Sequence, residues 1–208
     1  MQKKSDLCRR SKFSLFANMH LVPLSNLYFP FLHIRGVNSA HYLLFCQNLM
    51  IRRAATELLC NMSDHEALWK LLRVGEKLKL WMALSEDWDP QDDSRSEEAL
   101  KEAFLTARAA AGTLAIAAND QEVAAAMMQE DCARTVCCLL ATGHLDLVHR
   151  TLVMIQALLR SEVKGMAMHL LEGGVVQAMN VVPKCGQENL VFLAKECAQE
   201  LSAAIRDK

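Results

Sequence analysis

A chain of 208 residues is long enough for one ordinary domain or one stretch of repeats, and a composition that is 52% apolar and 23% charged can bury a core. This composition argues against wholesale disorder. The formal net charge of −1 lacks the cationic surplus that general binding to phosphate backbones requires, so we expect no nucleic-acid partner.

The first 50 residues differ in composition from the rest. Residues 1–50 carry six Lys or Arg and one acid, a balance of +5, whereas residues 51–208 carry 17 Lys or Arg and 23 acids, a balance of −6. Five of the seven Phe and both Tyr also precede residue 51. We therefore expect an atypical, poorly ordered leader over 1–50 and a helical domain over 51–208.

Within the leader, residues 13–34 form a run of 22 residues without a charged side chain, preceded by five basic residues. This length and this flank are typical of a signal anchor. Polar residues and two prolines, Pro23 and Pro30, interrupt the run, and lipid offers no partner for the backbone groups that they expose. We expect no membrane insertion, and an anchored protein is the alternative.

The eight cysteines indicate a reducing compartment, because a chain this long and apolar does not need disulfides for stability. We therefore expect a cytoplasmic protein.

One group, Cys132, Cys137, Cys138, His144 and His149, raises the question of a metal site. Zinc sites usually contain two Cys that lie two to four residues apart, and the spacings here are five, six and five. We expect these side chains to pack, with no metal and no cofactor.

From residue 51 the pattern is helical. Small and apolar residues recur at steps of three and four over 51–62, which predicts one face of a helix. Ser63 and Glu66 have the spacing of a capping box, so a second helix is predicted over 64–72. A third helix is predicted over 76–84.

The trio of helices recurs twice, and a terminal helix follows. The predicted units span 51–84, 99–141 and 145–182, the terminal helix spans 189–205, and an acidic loop spans 85–98. The helices predicted within the second and third units cover 108–119, 123–129 and 132–141, then 145–160, 163–172 and 175–182.

The spacing of the first helices supports a repeat. Arg150 lies 42 residues after Arg108, and Leu193 lies 43 residues after Arg150, within the roughly 40–47 residues of armadillo and HEAT units. The first interval, from Arg53 to Arg108, is 55 residues because it contains the acidic loop. The sequence thus predicts an all-α, armadillo/HEAT-like right-handed superhelix, an α-solenoid of about three three-helix repeats plus a terminal helix. Such an array would leave the outer face of its first helix uncovered, which predicts self-association.

No enzyme signature is present: the chain lacks GxxxxGK[ST], GxSxG, HExxH and GxGxxG. We therefore expect a protein that is not an enzyme.

In helical arrays the third helices usually form a concave wall that binds an extended partner. The candidate groove residues are Lys77, Lys79, Trp81, Arg134, Gln177 and Asn180.

The registers of the third helices are compared through two turn glycines. Gly75 and Gly174 lie 99 residues apart and are expected to have equivalent positions. By this offset Asn180 has the register of Trp81. An Asn there would hydrogen-bond the backbone of a bound peptide while an aromatic residue packs against its side chains.

Four stretches resemble one known family. They are RRAATELLCNMS at 52–63, EKLKLWMALSEDWD at 76–89, ARAAAGTLAIAA at 107–118 and VHRTLVMIQALL at 148–159. Together they resemble the last armadillo repeats of the UCS-domain (Unc-45-type) co-chaperones of myosin.

The resemblance extends over 51–205 and implies a function. In this family the UCS domain holds the myosin motor domain while an N-terminal tetratricopeptide region recruits Hsp90. Residues 1–50 show no repeat of that type, so the resemblance implies myosin binding for this chain and Hsp90 coupling for the complete family members. The alternative is a generic armadillo-type adaptor or scaffold, anchored to a membrane by the leader.

Overall fold

The structure, a computed structural model, describes residues 34–206, and every regular element in that range is helical. The prediction of an all-α chain is therefore confirmed over the described residues. Two 3₁₀ segments, Leu43–Phe45 and Met179–Cys185, join the α-helices. The α-helices are α1 Ile34–Tyr42, α2 Leu49–Cys60, α3 Glu66–Leu72, α4 Gly75–Glu86, α5 Glu97–Ala117, α6 Gln121–Gln129, α7 Cys132–Ala141, α8 Leu145–Arg160, α9 Met166–Glu172, α10 Val175–Ala178 and α11 Glu188–Arg206.

Most helix positions agree with the sequence pattern, and the differences lie at the caps. The helices predicted over 132–141 and 145–160 have the bounds of α7 and α8. The capping box at Ser63 is wrong, because Ser63 is buried and the imidazole Nδ1 of His65 instead accepts the amide of Ala67 at the start of α3. Helix α5 begins 11 residues before its predicted start, because the hydroxyl of Ser96 caps its first turn.

The boundary of the leader at residue 50 is also wrong. Residues 34–45 form α1 and a 3₁₀ turn, and both pack against α2. Val37 and Leu44 are each only 1% exposed, so this segment contributes side chains to the core. The aromatic and basic composition that distinguishes residues 1–50 does not prevent their last part from joining the helical domain. The earlier part of the leader, including most of the candidate anchor, lies outside the described residues.

Helices with the same place in successive units contact each other. The first helices pack in chain order, with α2 against α5, α5 against α8 and α8 against α11. The third helices follow the same order, with α4 against α7 and α7 against α10. Between them, α3 contacts α6, and α9 contacts α7, α8 and α11. One continuous apolar core extends from Val37 to Leu201 as a result.

Small residues on α5 allow its close approach to both neighbours. Ala110, Ala111 and Ala115 are no more than 2% exposed. At Gly112 a Cβ would overlap the guanidinium of Arg150 from α8 and would lie 3.5 Å from the Cys60 Sγ of α2. Gly112 therefore leaves space that the Arg150 guanidinium occupies, with the Cys60 side chain in contact from the other side.

Ion pairs join the units at their edges. Arg53 Nε of α2 lies 2.6 Å from Glu102 Oε2 of α5, and Arg160 Nη2 of α8 lies 2.5 Å from Glu200 Oε1 of α11. A further pair joins the end of α3 to the start of α6, where Arg73 donates from Nε and Nη2 to the two carboxylate oxygens of Asp120 at 3.1 and 2.7 Å. Asp120 also caps α6 by accepting the amide of Val123. Each arginine thus connects one unit to the next.

Replacement of Gly173 should test the packing of the third unit on the second. A Cβ at Gly173 would overlap the Cβ of Ala133 in α7 and lie 3.1 Å from the backbone oxygen of His169. We expect Gly173→Ala to lower the free energy of unfolding by about 1–3 kcal/mol, measured by urea denaturation.

The matched control is Gly75→Ala, whose Cβ would meet only the flexible carboxylate of Glu130. It should cost less than about 1 kcal/mol, because that side chain can move aside. Equal losses for the two variants would contradict the close contact between α7 and the turn at Gly173.

The pair between Arg73 and Asp120 should make stability depend on pH. The Arg73 hydrogen bond is the main cause that lowers the pKa of Asp120 below its ordinary value, while burial opposes the change. The resulting stability is complete above the unfolded pKa, about 3.9, and is lost as the pH falls from there through the lower folded pKa.

We expect Asp120→Asn to reduce the free energy of unfolding by about 1–2 kcal/mol at pH 7. Asn can still cap the helix, but it is neutral and therefore loses the ion pair with Arg73. The difference from the wild-type chain should shrink below about pH 4, as measured by urea denaturation at several pH values. A constant difference down to pH 2 would contradict the role of the ionised carboxylate.

Candidate functional site

The row formed by α4, α7 and α10 carries the residues predicted to bind a partner. Lys79 on α4 and Arg134 on α7 are exposed, and Lys77 is half-buried. Gln177 lies on α10 and Asn180 in the 3₁₀ segment that follows it, and both are exposed. Five of the six candidates therefore reach the surface along one row of helices. We refer to Lys79, Arg134, Gln177 and Asn180 as the third-helix surface.

The sixth candidate, Trp81, does not lie on a surface. It is 0% exposed, and its neighbours on the same face of α4, Leu78 and Met82, are also buried. Trp81 and Met82 lie three and four residues after Leu78, so the tryptophan belongs to the apolar face of the helix. The prediction of an exposed aromatic at this position is therefore wrong.

The offset of 99 residues between third helices is wrong as well. Gly75 is the first residue of α4, with Val74 as its N-cap, whereas Gly174 is itself the N-cap of α10 and has a φ of 80°. Counted from the N-caps, the offset is 100, so Asn180 does not share the register of Trp81. The left-handed backbone at 174 favours glycine, whereas at 75 a Cβ would meet only the flexible carboxylate of Glu130.

Two carboxylates that the sequence analysis did not select organise the third-helix surface. Glu86 of α4 accepts the hydroxyl of Thr135 at 2.6 Å and lies 3.3 Å from Arg134 Nη2. Glu130, at the end of α6, lies 2.8 Å from Lys79 Nζ. Its hydrogen bond is the main cause that raises the pKa of the Lys79 ammonium. Each exposed cation is therefore held beside an acid from a neighbouring helix.

Beside these cations the surface offers neutral groups. Gln177 and Asn180 present amide donors and acceptors, and the exposed Cys138 lies on α7 between them and α4. Alternating charges of both signs with amide groups suit a polar peptide backbone better than a single highly charged ligand.

An aromatic cluster fixes the acidic loop to the helices. Trp88, from the loop, lies 5.0 Å from the ring of Phe104 on α5 and 5.3 Å from the ring of His144 at the start of α8. Phe104 and His144 are 4.4 Å apart, and the guanidinium of Arg108 lies 5.9 Å above the Phe104 ring. Sequence reasoning missed this cluster because its members come from three separate segments.

The loop between α4 and α5 is also held by its own arginine. Arg95 Nη2 lies 2.9 Å from Asp87 Oδ1, and Arg95 Nε lies 3.0 Å from Asp92 Oδ2. The hydrogen bond to Asp87 is the main cause that raises the pKa of Arg95. The exposed acids of the loop region, by contrast, are Asp89, Asp93, Glu97 and Glu98. The arginine therefore orders the loop while its outer edge stays negative.

The cysteine and histidine group on α7 and α8 does not converge. Within the range 34–206, no cluster of three or more His, Cys, Asp or Glu side chains is arranged to hold a metal ion. Cys132 is fully buried, and burial raises the pKa of its thiol to about 12. Burial also raises the pKa of Cys137 and of Cys138. These thiols are protonated at neutral pH, which makes them poor nucleophiles.

Searches against known proteins add no family. No protein-family model matches the chain, and no curated protein matches it. Of the helices in the described part of the chain, none combines the length and the apolar composition that crossing a membrane requires.

Removal of the tryptophan should release the acidic loop. We expect Trp88→Ala to increase the rate of tryptic cleavage after Arg95 by about tenfold. The variant lacks the ring contacts with Phe104 and His144 that hold the loop against the helices, and each such contact contributes about 0.5–1.5 kcal/mol. Mass spectrometry of the fragments measures the rate at that bond, and far-UV circular dichroism checks that the helices persist. Asp93→Ala, an exposed change in the same loop, should leave cleavage within about twofold. Equal acceleration in both variants would contradict the role of the cluster.

Proposed function

We propose that the chain is a non-catalytic protein-binding module, built as an armadillo/HEAT-like right-handed superhelix of three three-helix units and a terminal helix. The observation that supports this most is the order of helix contacts, in which first helices pack on first helices and third helices on third helices. A repeat array produces this order because each unit buries its apolar face on the next one. The second unit in this arrangement is α5 to α7, and the terminal helix is α11.

The proposed binding surface is the third-helix surface. Its exposed side chains come from three successive units, so an extended segment of a partner could contact all of them. The amides of Gln177 and Asn180 would bind the peptide backbone of that segment, and Lys79 and Arg134 would bind its acidic side chains. Binding of this kind needs no cofactor and no catalytic group.

The proposed client is the myosin motor domain, on the strength of the four stretches that resemble UCS-domain co-chaperones. We propose that the chain holds this client in the cytoplasm, where free cysteines such as Cys60 and Cys138 would stay reduced. Coupling to Hsp90 would belong to complete family members that have the recruiting region.

A second candidate is an armadillo-type adaptor for a different extended or helical peptide. The residues that carry the family resemblance favour it, because many of them are core residues. Leu59, Trp81, Ala110 and Leu152 are all 0% exposed, so they specify packing and not a partner. A resemblance located in the core constrains the fold more strongly than the client.

A binding experiment can separate the two candidates. Purified full-length chain, immobilised, should capture purified myosin motor domain, and the double variant Lys79→Glu with Arg134→Glu should weaken this binding by about tenfold or more. The control is Lys101→Glu with Lys195→Glu, which makes the same charge change at exposed positions on α5 and α11. It should change the affinity by no more than about twofold.

The outcomes differ for the client and for the surface. Failure to capture the motor domain, under conditions in which a complete UCS protein succeeds, would overturn the proposed client. Cross-linking of another partner to the third-helix surface would then support the adaptor. Equal weakening by the two double variants would overturn the surface itself.

A further inference from the structure

Helix α2 is the first helix of the first unit, and it exposes an apolar stripe. The equivalent positions of α5 and α8 are mostly buried. Met50, Ile51, Ala54 and Leu58 lie on one face of α2, at steps of one, three and four residues, and we call them the α2 stripe. Met50 is 62% exposed, Ile51 43% and Leu58 42%, and Ala54 is exposed as well. Arg53, Thr56 and Cys60 lie on the opposite face, which packs on α5.

The equivalent positions on the next first helices are covered. Counted from Arg53, Arg108 and Arg150, the stripe corresponds on α5 to Leu105, which is half-buried, and to Thr106, Ala109 and Thr113, which are 3%, 7% and 0% exposed. On α8 it corresponds to Leu147, Val148, Thr151 and Ile155, and all four are 0% exposed. A preceding first helix covers this face in each case, since α2 packs on α5 and α5 on α8. The occupant that fits the α2 stripe is therefore another first helix.

The opposite end of the stack has a different character. The outer positions of α11 repeat at steps of three and four residues and are exposed, and they are mostly polar: Glu188, Phe192, Lys195, Gln199 and Ser202. Phe192 is the one apolar residue among these five. This face is typical of a terminal helix that caps an array. The two ends therefore do not match each other, and a head-to-tail filament is disfavoured.

We propose that two copies of the chain associate head to head, with the α2 stripe of one copy packed antiparallel on the α2 stripe of the other. Antiparallel pairing places Met50 opposite Leu58 of the copy and brings the two Ala54 residues together at the centre. A small residue at that position permits close approach of the two helices. The interface uses the same patch on both copies, so the assembly closes as a dimer.

The area available exceeds that of one helix face. A stable interface buries about 800 Å² on each partner. The turn before α2 extends the apolar surface, because Tyr42, Leu43 and Phe45 are 74%, 47% and 61% exposed. This turn packs against α2. This association is independent of client binding, which uses the third helices.

Size-exclusion chromatography with light scattering tests the proposal on the full chain. We expect a dimer at micromolar concentration, and a rise in its dissociation constant of at least about tenfold for Met50→Glu with Leu58→Glu. The matched control is Phe192→Glu, which removes an exposed apolar residue from the opposite end and should remain dimeric. Thermal unfolding followed by circular dichroism verifies that each variant is folded.

Cross-linking identifies the occupant of the stripe. Ala54→Cys should form a disulfide-linked dimer through residue 54 under mild oxidation, beyond the background that the wild-type cysteines give. Ser202→Cys on α11 should not add to that background. A monomeric wild-type chain, a dimer unaffected by the stripe variant, or links from residue 54 to residues 1–33 of the same chain would each overturn the proposal.

Discussion

The close packing of α5 between α2 and α8 is the contact on which the rest of the structure depends. A unit of three short helices has an apolar face that it cannot enclose alone, so its stability comes from the neighbouring units. On α5 the side chains at this contact are alanines and Gly112, which leaves room for Arg150 from one side and brings Cys60 near from the other.

Burial of the first helices on each other leaves the third helices as the exposed polar row. Charges on that row are paired with acids from neighbouring helices, such as Lys79 with Glu130 and Arg134 with Glu86. These pairs are exposed and contribute little to stability, but they hold the cations in defined places. The core therefore holds the helices in their order, and the third-helix surface is the polar surface on which partner binding is proposed.

Some of the candidate site could be predicted from the sequence, and some could not. Lys79 and Arg134 were found because charged residues on an otherwise apolar helix almost always face water. Trp81 was misplaced because an aromatic residue suits a core and a binding groove equally well, although its spacing from Leu78 and Met82 indicated the core. The cluster of Trp88, Phe104 and His144 could not be found, because no local pattern shows that a loop folds back onto two helices that are distant in sequence.

From α2 onward the sequence by itself determined most of the helices and their order, since periods of three and four residues and turn glycines are local properties that need no neighbour. It also predicted a repeat of about 42 residues, from the intervals between Arg108, Arg150 and Leu193. Only the tertiary structure decided that residues 34–45 join the core and that Glu86 and Glu130 hold the surface cations. Those facts depend on which surfaces meet, and contacts between distant segments leave no periodic signal in the chain.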